Sequence, residues 1–218
     1  MLAAILTLSL AAQGPASRPR MVPPPTPTGA TALRAQRAPV IDGRDDDEVW
    51  RDAPAITGFR QFKPKEDVDP SYRTEAKVAY DATNIYVFVR AFDTHPDSIL
   101  KLLARRDQFF ASDRIWVLID SYHDRRSGFE FGVTPAGVKI DQAVYNDGNE
   151  DGAWDAVWEV ATTVDSLGWT AEFKIPLSQI RYSPQDTNTF GFAVWRDFQR
   201  NSERAAWPAY HPSKNGFV

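Results

Sequence analysis

The sequence contains no cysteine, so it can form neither a disulfide nor a thiolate metal or redox centre. Its three histidines, His95, His123 and His211, stand at no spacing that would bring two imidazoles to one metal, and each adjoins Pro or Asp in loop-like sequence. No G-x-S-x-G, phosphate-binding loop or G-x-G-x-x-G is present, which removes the common nucleophilic and nucleotide-binding sites. A basic excess is also missing. The net charge is −4, and the Arg pairs at 105/106 and 125/126 are too isolated to form a stripe along a phosphate backbone, so nucleic acid is not an expected partner. Carboxylates are plentiful at 29, but most fall in turns or at strand ends, so a paired acid and base for glycoside cleavage is not favoured. The expectation is a protein without catalysis.

Aromatic residues are absent before Trp50, and no apolar run is long enough to span a bilayer. Leu2 to Ala12, eleven residues, has the length of a signal-peptide hydrophobic region, although no Lys or Arg precedes it. Cleavage after Ala11 or after Ala16 fits small-residue rules, and residues 1–16 are taken as the signal. Residues 17–38, with Pro19, Pro23, Pro24, Pro25 and Pro27, cannot bury enough apolar area to fold and are read as a tether. These features predict export to the periplasm, outer membrane or cell surface. A folded domain over 39–218 is expected to begin at P-V-I-D-G-R-D-D-D-E-V-W, Pro39 to Trp50. There Ile41 and Trp50 should tuck inward, Gly43 should permit a turn, and Asp45 or Asp46 should cap a short helix over 46–52 whose acids face water.

Beyond Trp50 the chain is rich in alternating, β-branched and aromatic stretches bounded by turn residues, which predicts an all-β antiparallel sandwich with one or two short helices. Strands are expected over 76–81, 85–93, 114–122, 128–134, 138–145, 157–164, 168–175 and 190–198. The second carries Ile85, Val87, Val89 and Ala91 on one face and Tyr86, Phe88 and Phe92 on the other, so both faces should be covered. In the seventh, Trp169, Ala171, Phe173 and Ile175 should face the core while Thr170, Glu172 and Lys174 face water. Short helical pieces are expected at 98–106 and 176–180.

Two kinds of binding group stand out. Asp147-Gly-Asn149-Glu-Asp151-Gly fits the first half of a calcium loop, in which alternate oxygens face inward; the second half is missing, because Trp158 stands where the bidentate Glu belongs. Calcium is therefore a weak candidate cofactor, held by Asp147, Asn149 and Asp151. Exposed aromatics stack on the C–H faces of sugars, and Phe109, Phe110, Trp154, Trp207 and Tyr210 lie in loop-like sequence where burial is less assured.

Four stretches then occur in a familiar order: I-D-G-R-D-D-D-E-V-W at 41–50, Y-D-A-T-N-I-Y-V-F-V-R-A-F-D at 80–93, S-D-R-I-W-V-L-I-D at 112–120, and G-W-T-A-E-F-K-I-P at 168–176. Together they resemble family 9 carbohydrate-binding modules across about residues 39–212. W-D-A-V-W-E-V at 154–160, F-G-F-A-V-W-R-D-F-Q-R at 190–200 and the closing N-G-F-V are similar to the subgroup at the N-terminus of bacterial envelope proteins that continue into an outer-membrane barrel. The resemblance implies a sandwich that clamps a terminal sugar between two Trp, often with structural calcium, in polysaccharide capture or breakdown. It places the first clamping position at Phe110 and the second at Trp207 or Tyr210. A sugar-holding Glu falls at Trp116 and an Arg at Glu130, and Asp45 replaces the usual apolar residue after I-D-G-x. Phe110, Trp154, Trp207 and Tyr210 are accordingly the expected ligand contacts, with oligo- or polysaccharide as the partner. The alternative is a structural or interaction domain of an outer-membrane barrel protein with no sugar ligand.

Overall fold

In the computed structural model, residues 29–213 apart from 184 and 186 are described. The expected signal, the first part of the tether and the closing N-G-F-V lie outside them. The described residues form strands β1 (Leu33–Arg34), β2 (Arg60–Lys63), β3 (Thr74–Tyr80), β4 (Asn84–Phe92), β5 (Arg114–Asp120), β6 (Gly128–Val133), β7 (Lys139–Tyr145), β8 (Asn149–Asp151), β9 (Glu159–Asp165), β10 (Gly168–Pro176), β11 (Gly191–Phe198) and β12 (Glu203–Trp207). A short helix, α1 (Glu48–Asp52), lies between β1 and β2.

Alternation of apolar side chains along these strands forces two sheets to close on one another. The first sheet has the order β1-β3-β4-β10-β9, and the second β2-β12-β11-β5-β6-β7-β8. All of these strand pairs are antiparallel except β1 with β3. Ile85, Val87 and Val89 of β4 meet Ile115, Val117 and Ile119 of β5, with Phe131, Trp158, Trp169 and Phe173 filling the layer between. Trp158 and Phe173 stack at 5.8 Å and 7°. The expected sandwich is this structure.

The outer face of the first sheet is covered as well. Tyr86 and Phe88 pack with Ala79 under Val49, Trp50 and Ala53, with Leu33 and Ile41 at the margin. Trp50 is completely buried, its ring 5.7 Å from Phe88. The covering layer is held through Glu172, which lies on the same face of β10. Glu172 accepts hydrogen bonds from Trp50 Nε1 at 2.8 Å, Gly43 N at 2.9 Å and Asp42 N at 3.0 Å. Gly43 has φ +81°, and an added Cβ would lie 2.9 Å from Thr163 Oγ1, so the chain can turn there only because the residue is glycine. The expectation that Thr170 and Glu172 face water is therefore wrong. Both are buried, because the N-terminal segment converts the polar face of β10 into an interior face whose carboxylate is matched by three donors. The N-cap position is Asp47 rather than Asp45 or Asp46, and the Asp47 carboxylate accepts the Val40 N–H at 3.0 Å instead of bonding to the helix.

A second correction concerns residues 98–106, which form no helix beyond a single turn at Pro96–Ser98. Leu102 and Leu103 face solvent there, so an amphipathic helix would have no surface on which to bury its apolar side. The backbone is tied elsewhere: Ser112 Oγ and Asp113 N both donate to the Leu100 carbonyl, and Asp107 N donates to that of Lys139. At one end of the sandwich Arg196 of β11 crosses between the sheets, donating to the Arg73 and Phe92 carbonyls and to Thr74 Oγ1. Burial draws its guanidinium down to about 10, against the opposing pull of Asp113 and Asp93.

Candidate functional site

With the first sheet covered on both faces, the outer face of the second sheet is the open one. Its outward residues are not those of a solvated sheet. Trp116 and Leu118 of β5, Ile140 and Val144 of β7 and Ala193 of β11 form a third buried apolar cluster, and Trp195 packs against it. Trp116 and Trp195 are direct partners on adjacent strands. Above them lies a trough of about 460 Å³, within the size range of small-ligand sites, whose lining mixes these rings with charged side chains.

The floor depends on an absent side chain. Gly132 of β6 lies opposite Trp116, and a Cβ there would come within 2.6 Å of the indole. The indole therefore lies flat over β6 and is almost wholly buried, while its Nε1 donates to Asp197 Oδ2 at 3.0 Å. Phe109 stacks above it at 6.0 Å and 20°, leaving the phenyl ring 61% exposed. The loop carrying Phe109 is fixed on both sides of the ring: Arg106 pairs with the buried Asp141, Asp107 Oδ1 accepts the Asp141 N–H, and Arg114 donates to the Phe110 carbonyl.

Asp197 is the electrostatic centre of this face. Arg204 Nε donates to its Oδ1 at 2.6 Å, and Arg114 Nη1 stands 3.9 Å from Oδ2. The Arg204 guanidinium also lies 5.3 Å from the ring centres of both Phe62 and Trp195. Arg114 is buried, and its Nε, itself out of reach of solvent, has no hydrogen-bond partner among the described residues. Burial pushes the Arg114 guanidinium below its ordinary range. Farther along, Glu130 accepts from Gln142 Nε2 at 2.6 Å. Burial pushes the Glu130 carboxyl up to about 7, the Gln142 bond opposes that rise, and nearby Glu150 adds to it. Chemically, the trough offers ring faces beside hydrogen-bond donors and acceptors.

The four aromatics expected from sequence do not converge. Tyr210 borders the trough from behind, 4.8 Å from Trp195 and 5.1 Å from Phe62. Phe110 is half-buried beneath the Arg114 guanidinium, 5.6 Å from its centre. Trp154 packs on Phe129 and Phe131 at 4.7 and 5.8 Å. Trp207 needs correcting as a ring open to ligand: it ends β12 rather than lying in a loop, is only 3% exposed, and turns into the inter-sheet core near Phe192. Trp116 and Glu130, where the resemblance lost its two polar contacts, both line the trough. Phe109 and Trp195 were not among the expected contacts. For Trp195 the signal was available in register: Trp195 and Asp197 occupy the outward positions of a strand whose inward positions include Val194.

The acidic stretch at 147–151 forms a hairpin, with Asn149 and Asp151 of β8 paired to Tyr145 and Ala143. Asn146, Asp147 and Gly148 make the turn with positive φ, and Asp151 Oδ1 accepts the Ala153 N–H at 3.0 Å. Asp147 thus lies in the turn, with Asn149 and Asp151 on the strand that leaves it. Among the described residues no group of three or more Asp, Glu, His or Cys side chains could hold a metal ion. No described helix is long and apolar enough to cross a membrane, which says nothing of strands.

Residues 41–215 match the family described as carbohydrate family 9 binding domain-like. Similar solved structures include a carbohydrate binding module family 9 domain from Caldicellulosiruptor kristjanssonii in complex with cellotriose, at TM-score 0.58 and 17% identity over 82% of both chains. A glucose complex from the same organism has TM-score 0.54 and 18% identity, covering 82% of this chain and 83% of that one. A putative carbohydrate-binding protein from Bacteroides uniformis reaches TM-score 0.61 at 10% identity, covering 82% and 87%. At these identities the structures establish the likeness of fold. No curated protein gives a significant match.

Proposed function

Because the chain belongs to the carbohydrate family 9 binding domain-like family, we propose that it is a non-catalytic module binding oligo- or polysaccharide on the outer face of its second sheet. The observation that carries this reading is the combination on that face of Phe109 and Trp195 with Asp197, Arg114 and Glu130, since sugar recognition needs ring faces for C–H surfaces and fixed polar groups for hydroxyls. Similar folds holding cellotriose and glucose support neutral β-linked glucose chains as the first ligands to try. Phe110 and Tyr210 enter the proposal as supports of Arg114 and Trp195 rather than as a facing clamp. The apolar run Leu2 to Ala12 supports export, and polysaccharide capture at the envelope is the corresponding role.

The test is a titration with glucose and with cello- and xylo-oligosaccharides, followed by tryptophan fluorescence. Saturable quenching or enhancement is expected for the wild type and not for Trp195→Ala. An unchanged spectrum at millimolar sugar would remove the proposal. A second reading, docking to a protein partner such as an outer-membrane barrel, is favoured by Leu102, Leu103 and Phe109, which are 57%, 85% and 61% exposed on one loop. It predicts that Leu103→Asp abolishes association with such a barrel while sugar titrations stay flat.

A further inference from the structure

The second sheet runs β2-β12-β11-β5-β6-β7-β8, and every one of its strands contributes to the trough. Lys63 lies on β2, Arg204 on β12, Trp195 on β11 and Trp116 on β5; Glu130 on β6, Gln142 on β7 and Glu150 on β8 continue the line. Adjacent strands lie about 4.8 Å apart, so the six steps from Lys63 to Glu150 cover roughly 25–30 Å at right angles to the strands. A pocket shaped for one sugar would gather its polar groups around a point. Here the groups are strung out.

The rings point the same way. Trp116 and Trp195 are neighbours in register on adjacent strands, so they stand side by side along the floor instead of facing each other across a gap. Phe109 stacks on Trp116 at one end of this row, and Tyr210 with the buried Phe62 packs behind Trp195 at the other. Beyond Trp116 the row gives way to Glu130, Gln142 and the exposed Glu150. The trough thus has an aromatic half over β2, β12, β11 and β5, where the rings stand among Lys63, Arg114, Asp197 and Arg204, and a polar half without rings over β6, β7 and β8.

We propose, resting on the carbohydrate reading above, that the trough takes a linear oligosaccharide lengthwise across the strands, with successive sugar units on the aromatic half and the polar half, rather than one terminal sugar between two facing rings. Binding then gains with each unit until the length of the trough is filled.

The experiment is calorimetric titration of the folded protein with glucose, cellobiose, cellotriose and cellotetraose, repeated with cellotetraose reduced at its end to the alditol. The wild type is expected to bind cellotetraose at least tenfold more tightly than glucose, and the reduced form within about threefold of the unreduced one. Glu150→Ala, an exposed change on a short edge strand, is expected to lose several-fold for cellotetraose and nothing for glucose, with an unchanged melt. Equal affinity at all lengths together with an inert Glu150→Ala would overturn the lengthwise site while leaving sugar binding intact. Absence of binding to every probe would overturn both readings.

Discussion

Glu130 shows how one carboxyl sets the pH behaviour of the open face. It lies 7% exposed against Gln142, and burial raises it to about 7 from an ordinary 4.5. The folded state therefore holds the proton more tightly than the unfolded chain. The resulting stabilisation is fully present below about 4.5 and is lost as the pH rises through 7. Glu172 and Asp113, raised by burial to about 7 and about 6, act in the same direction, so wild type against Glu130→Gln is the informative comparison. Calorimetric melts from pH 8 to pH 5 should show the wild type gaining on the Gln variant as the medium becomes acidic, by roughly 2–4 °C per kcal/mol of linkage. Parallel curves would show that Glu130 titrates near its ordinary value. Proximity of Glu150, invisible at sequence separation twenty, is part of why no reading of the chain could have predicted the shift.

Among elements, the long central strands were readable because their chemistry is local. β4, β5 and β10 carry apolar side chains at both parities or in strict alternation, and the structure has strands at these places, although the polar face of β10 is buried rather than solvated. β2 and β12 were missed: R-Q-F-K and E-R-A-A-W have too few alternating apolar positions, and their pairing is decided by each other and by β11. The trough was missed for a related reason. Trp116 and Trp195 lie on outward strand positions, whereas loop sequence drew attention to Trp154 and Trp207. The contribution of β6 is the clearest case, since Gly132 matters through the side chain it lacks. Gly132→Ala should push the Trp116 ring off the strand, break its bond to Asp197 and disturb Phe109, at about 1–3 kcal/mol of overpacking. Sugar affinity is expected to fall roughly tenfold, with only a modest drop in melting temperature. Unaltered binding in Gly132→Ala would mean that the Trp116 position does not shape the site.

At the scale of the molecule the two outer faces differ, one covered and one open. The N-terminal layer with Trp50 closes the first sheet, and the trough occupies the far side of the second, separated from it by the inter-sheet core. Stability and binding should then come apart under mutation, provided the core does not transmit strain. Trp50→Ala opens a cavity over Phe88 and removes one of the three donors that hold Glu172, leaving Asp42 and Gly43 to satisfy it. Loss of a buried Trp costs about 3–5 kcal/mol, which corresponds to a melt lowered by roughly 10 °C or more in a chain of this length. Measured well below that melt, its dissociation constant for cellotetraose should stay within about twofold of the wild type, because no residue of the covering layer lines the trough. Trp195→Ala should do the reverse, abolishing binding with a small effect on the melt, since the ring lies half-exposed on the open face. If Trp50→Ala weakened sugar binding in step with its loss of stability, the two sheets would have to act as one coupled unit, with Arg196, anchored to both, the first place to look for the link.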